Sequence, residues 1–229
     1  MSSIAIITAR GGSKRIPGKN IKEFCGKPII AYSVEAALES GVFDEVMVST
    51  DSEEIAELAG KAGASVPFMR SADTSNDYAT MKDVLEEVLS CYAQEGKLFD
   101  EMCCIYPTAP FVTARKLRKA HEILNETGAE SVLPVVRFSF PPQRGLVMQD
   151  GLLRYQYPEY QSSRSQDLKP IYHDCGQFYF YRVNRDLTFN SDSYAPIIVS
   201  EMEVQDIDNE TDWEIAELKY KLMVNRKGE

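Results

Sequence analysis

Ile4-Ala5-Ile6-Ile7-Thr8 runs directly into Ala9-Arg10-Gly11-Gly12-Ser13-Lys14-Arg15-Ile16-Pro17-Gly18-Lys19-Asn20, and apolar residues at helical spacing follow over residues 28–40. A short, continuous apolar run suits a buried strand, and the pattern after the loop suits a helix that ends at Gly41. The unit is therefore strand, loop, helix. The same alternation continues outward. Residues 45–50, 65–68, 102–106 and 131–136 read as strands, and 52–62, 80–94 and 114–125 as helices, with Ser52 as an N-cap and Gly63 as a stop. Such alternation predicts an α/β fold with a doubly wound, mainly parallel sheet. Ligands of such sheets bind at the carboxyl ends of the strands, where Thr8 to Asn20, Ser49 to Asp51 and Pro107 to Pro110 fall.

After Arg137 the alternation stops. Residues 138–172 are rich in Pro, Gln, Ser and Tyr, with a hairpin turn expected at Asp150-Gly151. Leu146, Val147, Leu152, Leu153, Tyr155 and Tyr157 give this stretch apolar surface to pack on something, and a second subunit is the expected something. Strands are expected again at 177–182 and 196–199, then a closing helix over 211–223 with Thr211 and Glu214 at capping-box spacing. The 229 residues are read as a single domain, with 138–172 as an inserted extension.

Net charge is −10, from 35 acidic and 25 basic residues, which argues against general attraction to nucleic acid. Yet Arg10, Lys14, Arg15, Lys19, Lys22 and Lys27 crowd the first 27 positions. That island asks for an anion. No apolar run approaches the roughly 20 residues that cross a bilayer, and the first residues resemble no secretory signal, so a cytoplasmic protein is expected. Cys25, Cys91, Cys103, Cys104 and Cys175 have no CxxC spacing and read as reduced thiols.

The paired glycines of the first loop allow close backbone approach and expose amide donors, while Arg10, Lys14 and Lys19 supply charge. Taken as composition, the loop reads equally well as a solvated turn. It matches neither a P-loop nor a GxGxxG fingerprint. Asp206-Ile207-Asp208 is the second constellation, since alternate residues of an extended segment point the same way and can share one hard cation. Before a helix, the same pair can also be capping or solvated charge. Asp51, at the end of a strand, can orient a loop lysine or face the crevice.

ARGGSKRIPGKN closely resembles ARxGSKxxPxKN, the signature of cytidylyltransferases that make CMP-activated acidic sugars. The resemblance continues through Val48-Ser49-Thr50-Asp51, Arg70 with Asn76-Asp77, Tyr106-Pro107-Thr108-Ala109-Pro110 and Gln205-Asp206-Ile207-Asp208. Arg164-Ser165-Gln166-Asp167-Leu168 and Tyr172-His173-Asp174-Cys175-Gly176-Gln177-Phe178-Tyr179 are most similar to the pseudaminic acid branch of that family. Its N-acetylneuraminate members usually carry an Arg-Pro-Asn-Gly type of segment there, and Gln where Tyr106 stands.

The resemblance implies a Rossmann-like nucleotidyltransferase fold, transfer of CMP from CTP to the anomeric hydroxyl of a nonulosonic acid, Mg2+ as cofactor, and a homodimer whose extension reaches the neighbour's site. It also implies roles. The nucleotide falls to Ala9, Arg10, Gly11, Gly12, Ser13, Lys14, Lys19 and Asn20, with Lys19 and Asn20 either on phosphate or holding the loop. Cytosine falls to Arg70, Asp77 and Thr80. Catalysis is expected of Arg10, Lys14, Asp206 and Asp208, the last two also as metal ligands. The sugar is expected to meet Tyr106, Arg164, His173, Gln177 and Tyr179, Arg164 as partner of its carboxylate and Tyr179 alternatively as packing. Other acidic sugars, such as N-acetylneuraminic, legionaminic or an eight-carbon acid, and a non-catalytic nucleotide-binding module, are the competing readings.

Overall fold

The computed structural model describes residues 1–13, 15–189 and 193–225. In chain order the elements are β1 (Ser3–Thr8), β2 (Glu23–Phe24), β3 (Lys27–Pro28), α1 (Ile29–Ser40), β4 (Glu45–Ser49), α2 (Glu53–Lys61), α3 (Ala72–Ser75), α4 (Met81–Gln94), β5 (Glu101–Ile105) and α5 (Ala114–Thr127). Then come β6 (Ser131–Arg137), β7 (Leu146–Gln149), β8 (Leu152–Tyr155), β9 (Tyr172–Asp174), β10 (Phe178–Arg182), β11 (Tyr194–Ile198) and α6 (Glu210–Asn225).

Every residue of β1 is buried, as its unbroken apolar run requires, because it lies between parallel neighbours β4 and β5 with helices on both faces. The sheet runs β11-β6-β10-β5-β1-β4, with β9 also pairing β6. Alternate residues of the strands feed opposite layers. Ala5, Ile7, Val48 and Ile105 pack against α1, α2 and α5, whereas Ile4, Ile6, Met47 and Met102 pack against Leu85, Val88, Leu89 and Tyr92 of α4. The expected mainly parallel α/β sheet is thus found, with β9 and β10 as its antiparallel members.

Two expectations change. Residues 65–68 form no strand: Ser65 makes a single bridge to Met47, and Pro67 has no N–H with which to continue the ladder. The capping box of α6 is Asn209 with Asp212, each side chain accepting the other's backbone N–H at 3.0 and 3.1 Å, rather than Thr211 with Glu214. Ser52 caps α2 as expected, accepting from Ile55, and Thr80 caps α4 in a reciprocal pair with Asp83 that the sequence reading did not assign.

A third apolar cluster matters most for the site. Ile16 from the glycine loop and Ile207 from the acidic segment are both buried with Phe24, Phe111 and Trp213. Burying each such side chain is worth roughly 1.5–3 kcal/mol, so two stretches almost the whole chain apart are held together by packing before any ligand arrives. The extension forms the expected hairpin. Asp150 and Gly151 take φ of 50° and 78°, the paired positive values of a turn that fits twisted strands. Leu146, Met148, Leu152 and Leu153 of that hairpin remain exposed.

Candidate active site

The loop after β1 is shaped by contacts made from outside it. Ala9 donates its N–H to Ser49 O, Asn20 is buried and its Nδ2 donates to Arg10 O at 2.8 Å, and Gly11 N–H donates to Asp51 Oδ1 at 2.8 Å. Asp51 therefore orients the loop through a backbone amide, and Asn20 closes it. The two glycines have different reasons to be there. A Cβ at Gly11 would lie 3.1 Å from Ser52 Cβ, whereas one at Gly12 would meet nothing within 4 Å. Ser52 caps α2 and has little freedom to retreat. Gly11→Ala is expected to cost about 1 kcal/mol, lowering Tm by about 2–4 °C, with Gly12→Ala unchanged in thermal unfolding.

The cations of the loop face a cavity of about 400 Å3 whose walls include Thr8, Arg10, Ser13, Arg15, Lys19, Asn20, Tyr106 and Thr108. Arg10 donates from Nη1 to Asp77 Oδ1 at 2.9 Å. Lys19 Nζ donates to Ile207 O at 2.7 Å, tying the loop to the acidic segment. Burial pushes the Lys19 ammonium below the ordinary lysine value, and Asp208 and Asp206 nearby oppose that shift. Lys14 lies outside the described residues. Arg15, which sequence reading counted among the basic island without giving it a role, holds Asp208 Oδ2 at 2.5 Å.

Asp206 and Asp208 flank the buried Ile207, which anchors the segment, with Asp206 at the edge of a cavity and Asp208 paired to Arg15. As a donor set they suit a hard cation. Among the described residues no third carboxylate, histidine or cysteine joins them, so a bound Mg2+ would need phosphate oxygens and water to complete its shell. The residues present fit such an ion.

The residues expected at cytosine each have a partner within the protein. Arg70 is buried, its Nε donating to Ser49 Oγ at 3.0 Å and its Nη2 to Ser49 O at 2.6 Å, so its fork braces the end of β4. Asp77 engages Arg10, and Thr80 caps α4. Of the residues expected at the sugar, four gather where β10 begins. Tyr106 N–H donates to Gln177 O at 2.9 Å, the Tyr106 and Tyr179 rings tilt together with centroids 5.6 Å apart, and Gln177 Nε2 donates to Glu203 O at 2.6 Å. His173 lies with Asp174, Gly176 and Asp206 along a second cavity of about 340 Å3. Burial raises the phenols of both tyrosines. Arg164 stands apart, 72% exposed and paired with Asp167 at 2.6 Å in the extension. Cys104 and Cys175, pushed by burial up to about 12, are too protonated to be nucleophiles.

A sequence model of the cytidylyltransferases matches residues 4–185. A pseudaminic acid cytidylyltransferase of Campylobacter jejuni is 40% identical over 227 residues, covering 97% of each chain. The CMP-N,N'-diacetyllegionaminic acid synthase of Legionella pneumophila is 36% identical over 234 residues, again covering 97% of each. Among solved structures, CMP:2-keto-3-deoxy-manno-octonic acid synthetase complexed with CTP superposes with a TM-score of 0.69 over 99% of this chain and 100% of the other, at 19% identity.

Proposed function

Because the chain belongs to the cytidylyltransferase family, we propose that this enzyme transfers CMP from CTP to the anomeric hydroxyl of pseudaminic acid, releasing pyrophosphate. The observation that carries the reading is the joining of the cationic loop to the Asp206-Ile207-Asp208 segment, through Lys19 and the shared Ile16–Ile207 cluster, in a chain related over nearly its full length to enzymes of that name.

Such a reaction asks little covalent chemistry of the protein. The hydroxyl oxygen attacks the α-phosphorus, its proton leaves, and the bond to pyrophosphate breaks, so positioning and neutralisation of charge dominate. Arg10 and Lys14 are assigned to the triphosphate. Lys19 and Asn20 hold the loop's shape. Asp206 and Asp208 are assigned to Mg2+, which would offset the charge of the transferred and leaving phosphates. Asp206 borders the second cavity and is the residue assigned to take the hydroxyl proton. Tyr106, His173, Gln177 and Tyr179 form the sugar side in this reading. Arg164 would reach a carboxylate from a second copy, carried there by the exposed hairpin in a homodimer. No helix among the described residues is long and apolar enough to cross a membrane, and all five cysteines are free, which suits the cytoplasm, where CTP is made.

The assay is pyrophosphate release with CTP, Mg2+ and each of pseudaminic, legionaminic, N-acetylneuraminic and eight-carbon 2-keto acids. Pseudaminic acid is expected to give the highest kcat/KM. Turnover of another acid with none of pseudaminic acid would reassign the substrate, and CTP binding without any turnover would make the chain a nucleotide-binding module. Sedimentation is expected to give twice the chain mass, and Leu152→Glu with Leu153→Glu is expected to yield a monomer with a raised acceptor KM and unchanged CTP binding.

A further inference from the structure

The stretch from Val204 to Asn209 that carries the acidic pair belongs to no helix and no sheet ladder. Nothing periodic fixes where Asp206 stands, and the carbonyls of the stretch take their donors from side chains instead. Glu203 O accepts from Gln177 Nε2 at 2.6 Å, Ile207 O from Lys19 Nζ at 2.7 Å, and Val204 O from Lys219 Nζ at 2.7 Å. Gln177 and Lys19 belong to the cleft. Lys219 comes from α6, and no step of the reaction uses it.

α6 is a fixed post for that lysine. Trp213 and Ala216 are buried, and Tyr220, the residue after Lys219, packs edge-on against Phe24 and Tyr32 with centroids 5.6 and 5.1 Å away. From there the Lys219 ammonium reaches Val204 O at 2.7 Å, Gln205 Oε1 at 3.1 Å and Glu201 O at 3.3 Å. An ammonium has three protons, and three acceptors take them. Lys219 therefore lines the cavity that also holds Asp206 and His173 without a proton to spare for a ligand's carboxylate. What it holds is the protein itself. Gln205 passes the contact on, its Oε1 accepting from Lys219 while its Nε2 donates to Asp206 O at 3.1 Å. On the other side of the same turn, the buried Lys116 of α5 donates to Phe111 O at 3.0 Å and pairs with Glu203 Oε1 at 3.2 Å. The turn that leads into Asp206 is thus held between two helices.

We propose that Lys219 is a positioning residue for the transfer step: acting through Val204 O and Gln205, it sets where the Asp206 carboxylate stands against the acceptor hydroxyl. The inference rests on the assignment of Asp206 as the group that takes the hydroxyl proton. Without the ammonium the stretch can drift, and a displacement of about 1 Å in an aligned catalytic group lowers a rate by about 100-fold.

The test is pyrophosphate release measured against acceptor concentration. Wild-type turnover of any of the acidic sugars upholds the reading of the reaction, and its absence overturns that reading and this inference together. Given turnover, Lys219→Met, which keeps the length of the side chain and removes its donors, is expected to lower kcat about 10- to 100-fold with the acceptor KM unchanged. Gln205→Met, which cuts the link from Lys219 to Asp206, is expected to lower kcat about tenfold and serves should Lys219→Met fail to fold. Lys219→Met combined with Asp206→Asn should be no slower than Asp206→Asn alone, because Lys219 acts through Asp206, whereas a general loosening of the fold would add to it. An unchanged kcat in both single variants, a raised acceptor KM at unchanged kcat, or fully additive losses would overturn the role of Lys219. An Asp206→Asn kcat equal to the parent's would overturn the assignment of Asp206, and this inference with it.

Discussion

Replacing Asp208 by Asn is expected to lower kcat by about 100- to 1000-fold, the range seen when one preorganised electrostatic partner of a transition state is removed. The substitution keeps shape and removes charge. Asp208 contributes its backbone N–H to Asp212 Oδ2 at 3.0 Å, and its neighbour Ile207 supplies the burial that holds the segment, so neither depends on the carboxylate. The side-chain pair with Arg15 is largely exposed, 68% and 39% for the two partners, and pairs of that kind contribute about 0–1 kcal/mol. Thermal unfolding should therefore stay within a few degrees of the parent while turnover at saturating CTP and Mg2+ collapses. A kcat within about threefold of the parent would remove Asp208 from the chemistry.

Arg10→Ala is the second substitution with a large expected effect, a loss of about 100-fold in kcat/KM for CTP. Its side chain lines the cavity and its partner is Asp77, so an incoming triphosphate would draw the guanidinium away from a carboxylate that is half exposed. The loop itself is closed by the backbone carbonyl of Arg10 with Asn20 and by Gly11 with Asp51, contacts that alanine keeps. The loss should thus appear in CTP kinetics and not in stability. Arg10→Lys is expected to recover part of the activity, since it restores the charge and not the planar fork. Steady-state kinetics against CTP on all three proteins, beside their melting curves, separates these contributions. Equal kcat/KM for Arg10→Ala and parent would place the triphosphate elsewhere.

How far these sites could be read from the sequence differs from residue to residue. The run from Ile4 to Thr8 announces a central strand because burial on both faces demands an unbroken apolar segment, and Ser52 announces a helix start by its capping chemistry. The direction of β10 was not readable, since an apolar run carries no sign of which neighbour it will pair with or how. The stretch 65–68 had strand composition but too few free N–H groups beside the β4 edge.

In the site, the glycine loop was readable by pattern, yet the division of labour within it was not. That Gly11 answers to Ser52, Asn20 to Arg10 and Lys19 to Ile207 depends on approaches made in space by residues distant in the chain. Arg70 drew attention as a polar residue near a base site and turns out to brace Ser49. Asp174 was quoted only as part of its segment, since an acidic residue beside a histidine and a cysteine has no distinguishing spacing, and the Tyr179 hydroxyl that rests on it is seen only in the fold.

The central claim is that the oxygen of an acidic sugar displaces pyrophosphate from the α-phosphorus of CTP in the cleft between the loop and the acidic segment. The most direct test is the 31P spectrum of CTP, Mg2+, pseudaminic acid and enzyme followed over time. The prediction is loss of the three CTP signals and growth of two, a phosphodiester of the CMP-sugar and inorganic pyrophosphate, in equimolar yield. Growth of CDP with inorganic phosphate, free CMP with pyrophosphate from the outset, or an unchanged CTP spectrum would contradict it.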